Sequence, residues 1–410
     1  MNINNGDVAW MLISTALVLL MTPALGYFYG GLVRKKNVVN TLLCVYILLG
    51  IITVEWVIFG YSMVFGKDIN GIIGGMDFFG LRNVGVAPNA DYAATIPHIL
   101  FMAFQLMFAI ITPGLIVGSI VERMKFSSFI IFTTLWSILV YNPIAHWVWG
   151  VGGWIRELGA LDFAGGNVVH ISSGVAGLVA CIILGKRKGY GSSSMLPHNI
   201  PYVMIGSGLL WFGWLGFNGG SSLAANGIGT VAFVNTVISP ATAMLSWCVL
   251  EYIMRKKVTL VGAATGALAG LVAITPGAGF VTALSALVIG ILVSPICYFA
   301  IAFIKQKFGY DDALDAFGCH GVGGIFGGII TGIFASKKVN DAGADGLFYG
   351  NPELLLKQLI AIVVTIAFSV IMTTIILFVI KKINGLRVDE ETEVSGLDVE
   401  VHGEDAFGNM

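Results

Sequence analysis

Apolar runs of bilayer-crossing length recur from one end of the chain to the other, each closed by a short polar or charged stretch. A helix needs about 20 predominantly apolar residues to cross the hydrocarbon core. On that template the chain divides into eleven spans, at 8–33, 38–65, 97–121, 126–149, 164–184, 199–223, 228–253, 259–276, 278–304, 319–335 and 352–382. The pattern predicts an all-α membrane protein with eleven transmembrane helices over 1–382 and a polar tail over 383–410. The tenth span is Gly-rich and the weakest by hydropathy.

The loops test this count. Sixteen of the 22 basic residues fall on one side, in the clusters Arg34/Lys35/Lys36, Arg123/Lys125, Lys186/Arg187/Lys188, Arg255/Lys256/Lys257, Lys305/Lys307 and Lys381/Lys382/Arg387. Six fall on the other: Lys67, Arg82, Arg156, Lys337, Lys338 and Lys357. A wrong count would scramble that alternation. The positive-inside rule then places the N-terminus outside and the C-terminus in the cytoplasm. The opening MNINNGDVAW has no basic n-region, so the first run is expected to be a retained span. The acidic tail reads either as a disordered solubilising segment or as a docking element for a regulator.

Composition agrees with the hydropathy pattern. Of 410 residues, 57% are hydrophobic and 11% charged, against roughly 25% charged in soluble domains. Mean hydropathy is +0.88. A net charge of −1 implies no nucleic-acid partner, and five cysteines without CxxC spacing indicate neither zinc nor a disulfide framework.

Weak echoes suggest an internal repeat. Asp162 to His170 resembles Asp315 to His320, and each His is followed by Gly at +4 and +7 (Gly174 and Gly177, Gly324 and Gly327). Leu25-Gly26-Tyr27 matches Leu215-Gly216-Phe217, and Val39-Asn40-Thr41 matches Val234-Asn235-Thr236. The shared order predicts spans one to five repeated as six to ten. Five is odd, so the second copy is inverted, with one helix added. Such repeats place the substrate path at their interface.

Of the six histidines, His170 and His320 fall well inside hydrophobic segments. A polar group in the membrane is costly and marks function by default. Either ring alone could be a satisfied packing residue, but a symmetry-related pair points to a pore. Glycines let helices approach closely, which gives a narrow lumen. An apolar interior favours uncharged imidazole, which offers one donor and one acceptor. That suits a small neutral molecule better than a bare metal ion. Paired histidines could also ligate haem, although the glycines argue against so broad a cavity.

Aromatics supply a second clue. Gln105, Phe108 and Thr112 share one helical face, as do Trp214, Phe217 and Ser221. With Trp149, which alone would read as an interfacial belt residue, these rings could line an outer vestibule. There ring faces attract a cation by roughly 0.5–2 kcal/mol, with Ser221 as acceptor. Asp162 reads as a helix cap whose charge also helps that site, and Asp315 is read likewise before the tenth span. Glu55, midway along the second span, receives no role: a protonated carboxyl and a lipid-shielded hydrogen bond both fit.

The stretches 104–113 (FQLMFAIITP), 143–150 (PIAHWVWG), 162–170 (DFAGGNVVH), 213–221 (GWLGFNGGS) and 315–321 (DAFGCHG), together with the tail 396–407 (GLDVEVHGEDAF), resemble the ammonium transporter (Amt/Rh) family of bacteria and archaea. The resemblance covers nearly the whole chain. It implies a non-enzymatic transporter of the inner or plasma membrane, a homotrimer with one pore per subunit and no cofactor. It implies that Phe108, Trp149 and Ser221 recruit ammonium with help from Asp162. Phe108 and Phe217 would gate the path, and His170, His320 and Trp214 would line the pore. Members of this kind bind PII signal proteins at the cytoplasmic face. Desolvating a cation in such a lumen costs far more than ring faces return, so ammonium is expected to lose its proton and cross as ammonia. The competing readings are an ammonium sensor that transports little, a haem redox enzyme, and a conduit for another gas or a methylated amine such as methylammonium.

Overall fold

The computed structural model describes residues 2–408. It contains eleven helices long and apolar enough to cross a membrane: α1 (Asn5–Leu32), α2 (Lys35–Phe65), α3 (His98–Ile120), α4 (Phe126–Leu158), α5 (Gly166–Leu184), α6 (Ile200–Ser222), α7 (Gly227–Arg255), α8 (Leu260–Gly277), α9 (Ala283–Phe308), α10 (Phe317–Phe334) and α11 (Pro352–Ile383). Between α2 and α3 lies a small antiparallel ribbon, β1 (Asp68–Ile69) with β2 (Ile73–Gly74). An odd number of spans puts the two termini on opposite faces, here called the N face and the tail face.

The clearest boundary difference is at α9. Hydropathy alone starts it at 278, but the helix begins at Ala283. The intervening residues are apolar yet not helical, because buried Asn235 donates to the carbonyls of Ala278 (2.9 Å) and Val281 (2.8 Å) and holds them in a turn. Thr282 then caps α9 by accepting from the Ser285 amide.

The inverted repeat shows in the packing of α5 against α10. A β-carbon on Gly174 would meet the backbone of Gly321 and His320, while one on Gly324 would meet His170 and Ile171. Each histidine-bearing turn therefore rests on a glycine of the other. Both helices open with a π-helical turn, at Gly166–Ile171 and Phe317–Gly321, a feature frequent at functional sites.

The structure corrects the expected cap of α10. Asp315 does not cap it: its φ is +61° and its carboxylate pairs with Lys305. Asp312 takes the role, accepting from the amides of Ala316 (3.2 Å) and Phe317 (2.8 Å) and from the Ser119 hydroxyl (2.7 Å). Asp312 precedes His320 by the same eight residues that separate Asp162 from His170, so the true register of the repeat pairs Asp162 with Asp312. Glu55 sits between two further π-helical turns, Trp56–Gly60 and Ser137–Tyr141, and accepts from Asn142 Nδ2 at 2.8 Å. It lies beside Gly60, where a β-carbon would strike its carboxylate.

On the tail face a buried charge cluster ties four loops together. Glu122 accepts from the Arg34 amide (2.7 Å) and guanidinium (2.8 Å) and from Arg187 (3.2 Å). Arg187 also forks onto Asp311 at 2.9 and 2.8 Å. Burial alone would raise the Glu122 and Asp311 carboxyls, but their guanidinium partners outweigh it and hold both below the ordinary range. Such groups stabilise the fold fully above their unfolded values and lose that contribution as pH falls through the lowered ones. The detergent-solubilised protein should therefore lose thermal stability as pH drops below the ordinary glutamate value of 4.5. Glu122→Gln should lower stability at neutral pH by roughly 3–5 kcal/mol, because it leaves Arg34 and Arg187 underpaired, and should flatten the acid loss.

The tail is ordered against this face, which corrects the disordered reading. Its helix α12 (Glu390–Ser395) places Glu393 to accept from Arg387 (2.9 Å) and from the Lys188 amide (2.7 Å). Asp398 accepts from the amides of Val39 (3.0 Å) and Asn40 (2.9 Å), so the tail supplies an N-terminal cap to α2 from some 360 residues away. Leu397 is fully buried beside Asn37.

Candidate functional site

On the N face a cavity of about 160 Å³ is lined by Gln105 and Phe108 of α3, Trp149 of α4 and Ser221 of α6. Tyr92 and Phe163, from loops, share its wall with the charged side chains of Asp91 and Arg156 and with apolar neighbours. Helical spacing explains the first pair. Thr112, expected on the same face, is buried and spends its hydroxyl on the Phe108 carbonyl at 2.6 Å. Trp149 stands edge-to-face to Phe108, ring centroids 5.8 Å apart, and its indole N–H donates to the Asp162 carbonyl at 3.1 Å. The Ser221 hydroxyl donates to the Phe217 carbonyl at 2.8 Å. Its hydrogen is thereby committed, and its lone pairs are left to accept from a guest in the cavity.

Phe108 and Phe217 close the floor. Their centroids lie 4.3 Å apart with planes tilted by 35°, and each side chain is about 1% exposed. A path inward requires these rings to move.

Beneath them is a chamber of about 20 Å³, lined by Ile111, Leu115, Val169, Trp214, His170 and His320 among others. This is room for about one water-sized molecule, and far too little for a porphyrin. His170 stacks between Trp214 (5.3 Å, 19°) and His320 (5.4 Å, 15°). The Trp214 indole is fixed by donating to Thr275 Oγ1 at 2.9 Å.

The two imidazoles face each other through Nδ1, 3.3 Å apart. One Nδ1 must donate and the other accept, so the pair shares a single proton along that edge. The accepting ring then carries its own hydrogen on Nε2, and the donating ring presents a bare Nε2. The lumen is thus offered a donor at one imidazole and an acceptor at the other.

His320 also reaches the third cavity, about 380 Å³ on the tail face, with Phe28, Tyr29, Lys305, Asp315 and Cys319 in its wall. A cup on the N face, a double ring, a tight chamber with two imidazoles and a wider cup on the tail face therefore follow one another through the protein.

Asp162 is placed beside this path, not on it. Its carboxylate accepts from the amides of Gly165 (2.8 Å), Gly166 (2.6 Å) and Asn167 (2.7 Å), which start α5, and its carbonyl holds Trp149. Sequence reasoning missed Tyr92 and Phe163, which lie in loops without helical spacing to betray them. It also missed His146, fully buried in α4.

Comparison with known proteins gives a consistent picture. The profile of the Ammonium Transporter Family matches residues 9–407. An ammonium transporter of Bacillus subtilis is 52% identical over 402 residues, 98% of each chain. The crystal structure of Saccharomyces cerevisiae Mep2 superposes with a TM-score of 0.88 at 36% identity, over 95% of this chain and 88% of that one. A structure described as a sensor Amt protein gives 0.88 at 31% identity, over 97% and 98%.

Proposed function

This chain belongs to the ammonium transporter family and is a multi-pass protein of the plasma membrane, and from that premise we propose that ammonium is captured on its N face, deprotonated at the phenylalanine gate and conducted as ammonia past His170 and His320. Transport of ammonium, not enzymatic turnover, is what its relatives are named for. The observation that carries the finer reading is the 20 Å³ chamber, whose polar lining is two imidazoles, one indole and the Tyr29 hydroxyl, already donated to the Leu115 carbonyl at 3.0 Å, with no carboxylate among them.

A bare ammonium ion there would lose its hydration without a carboxylate to replace it. Ammonia loses far less, and the donor and acceptor of the histidine pair match its own lone pair and N–H groups. Phe108, Trp149 and Ser221 form the recruitment site: ring faces attract the cation and Ser221 accepts one of its hydrogens. That attraction is weak, as release into the gate requires. Phe108 and Phe217 act as the gate, and Trp214 packs His170 in place. Asp162 serves recruitment by fixing Trp149 and the start of α5. The N face is outside and the tail face cytoplasmic, which the loop charges support.

Three subunits, each with its own pore, form the assembly, and the docked tail offers a cytoplasmic surface for a PII-type regulator. A sensing role beside transport is supported by the likeness to a protein described as a sensor.

The test is uptake and current by the protein reconstituted in vesicles. Saturable ammonium uptake that falls with Trp149→Leu, and falls further with His170→Ala, supports the pathway. Uptake unaffected by both variants would sink it. Current per ammonium taken up reports whether the released proton follows. Regulator binding that survives His170→Ala would separate signalling from conduction.

A further inference from the structure

We propose that His146 and Asp68 form a positioning pair that holds Trp149 over the gate and so sets the affinity of ammonium capture. This rests on the reading that Trp149 belongs to the recruitment site.

His146 lies one helical turn before Trp149, with no side-chain exposure. Its Nδ1 is 2.7 Å from the Val64 carbonyl oxygen and its Nε2 is 2.9 Å from Asp68 Oδ1. Both neighbours are acceptors only, since a carbonyl and an ionised carboxylate carry no hydrogen to give. Each ring nitrogen therefore faces an oxygen acceptor, and the ring is clamped between the end of α2 and the ribbon. The His146 N–H first of all, with the Gly71 amide, holds the Asp68 carboxyl below its ordinary range.

The pair joins three elements. Val64 ends α2, Asp68 opens the β1–β2 ribbon, and His146 belongs to α4. The chain after Trp149 wraps back onto it. A β-carbon at Gly150 would strike His146 Nδ1 and the Val64 carbonyl, and one at Gly152, where φ is +87°, would strike Asp68. Two further bonds fasten the ribbon to α4: Trp147 Nε1 donates to the Ile72 carbonyl (2.7 Å) and the Trp154 amide to that of Gly71 (3.2 Å).

The same turn reaches the cavity wall, where the Val151 amide donates to the Tyr92 hydroxyl at 2.8 Å. The backbone that aims the Trp149 indole is thus folded around a pair whose imidazole is buried and whose carboxylate is part-exposed. Neither member lines the cavity, so the pair touches no substrate and acts through the ring it places.

The experiment measures ammonium uptake against concentration for the full chain in vesicles, with His146→Ala, Asp68→Asn, the double variant and Trp149→Leu. His146→Ala and Asp68→Asn should each raise the half-saturating concentration about tenfold, the scale of one lost charge-assisted hydrogen bond, with the maximal rate changed less than twofold. The double variant should be no worse than the single ones, because the two act as a unit.

An unchanged half-saturating concentration in both single variants overturns the proposal. So does a fall in maximal rate in step with lost thermal stability, which marks a folding role only. If His146→Ala fails to assemble, Asp68→Asn, at a part-exposed ribbon position, carries the test. A rise with Trp149→Leu but not with the pair sinks this inference and leaves the recruitment site standing. No rise with Trp149→Leu sinks the recruitment reading itself.

Discussion

Replacing His170 by alanine is expected to cut ammonium conduction by about ten- to a hundredfold while leaving the outer site able to bind. The variant removes one half of a buried N···N hydrogen bond and strands His320 with an unpartnered ring nitrogen. Leaving such a group unsatisfied costs roughly 1–3 kcal/mol, and each 1.36 kcal/mol added to a barrier slows passage about tenfold. It also empties part of a chamber that holds about one water-sized molecule, so water enters where ammonia had matched partners. His170→Asp should differ in kind. A carboxylate in the chamber supplies the fixed negative charge that the native lining lacks, so a cation can rest there with its charge intact. Ammonium-dependent current should persist, and exclusion of potassium should weaken. Current and uptake recorded on the same vesicles separate these outcomes. Native-like uptake by His170→Ala would remove the histidine pair from the mechanism.

The second large effect is expected from a single methyl group. Gly174→Ala should abolish conduction and lower the melting temperature of the solubilised protein, because its β-carbon would enter the backbone of Gly321 and His320. A clash with the end of a flexible side chain can be relieved by a rotamer change. A clash with the partner helix's backbone cannot, so α5 and α10 must separate. Overpacking of this kind costs roughly 1–3 kcal/mol, and the displacement falls on the turn that carries His320. The 3.3 Å contact between the imidazoles does not survive such a shift. Gly208 is the control: nothing lies within 4 Å of its added β-carbon. Gly208→Ala should be neutral or slightly stabilising, since alanine exceeds glycine in helix propensity by about 1 kcal/mol. Equal behaviour of the two variants, measured by thermal unfolding and uptake, would refute the close-packed crossing.

Much of the site was legible in the chain. Phe108 and Gln105, and Trp214, Phe217 and Ser221, were grouped by helical spacing, and the structure places each group along one path. His170 and His320 stood out because polar rings in apolar segments are rare. Trp149, an aromatic at the end of its span, was grouped with them, and the structure places it against Phe108. Asp315 was misread because it stands close to the helix start in sequence. The carboxylate that reaches the free amides is three residues earlier, because the backbone turns at positive φ at Asp315 itself. His146 escaped because its partners, Val64 of α2 and Asp68 of the ribbon, lie about 80 residues away in two other elements.

The sequence by itself determined the eleven spans, the asymmetry of their loops and the chemical types available in the interior. These are local properties: hydropathy and charge act residue by residue on transfer into the bilayer. The tertiary structure alone decided which carboxylate caps which helix, that the two imidazoles share one proton, and that the tail caps α2. It alone set an oxygen acceptor against each ring nitrogen of His146. Each of these depends on groups brought within about 3 Å across long separations in the chain, where hydrogen bonding is decided by direction and distance. Composition carries neither.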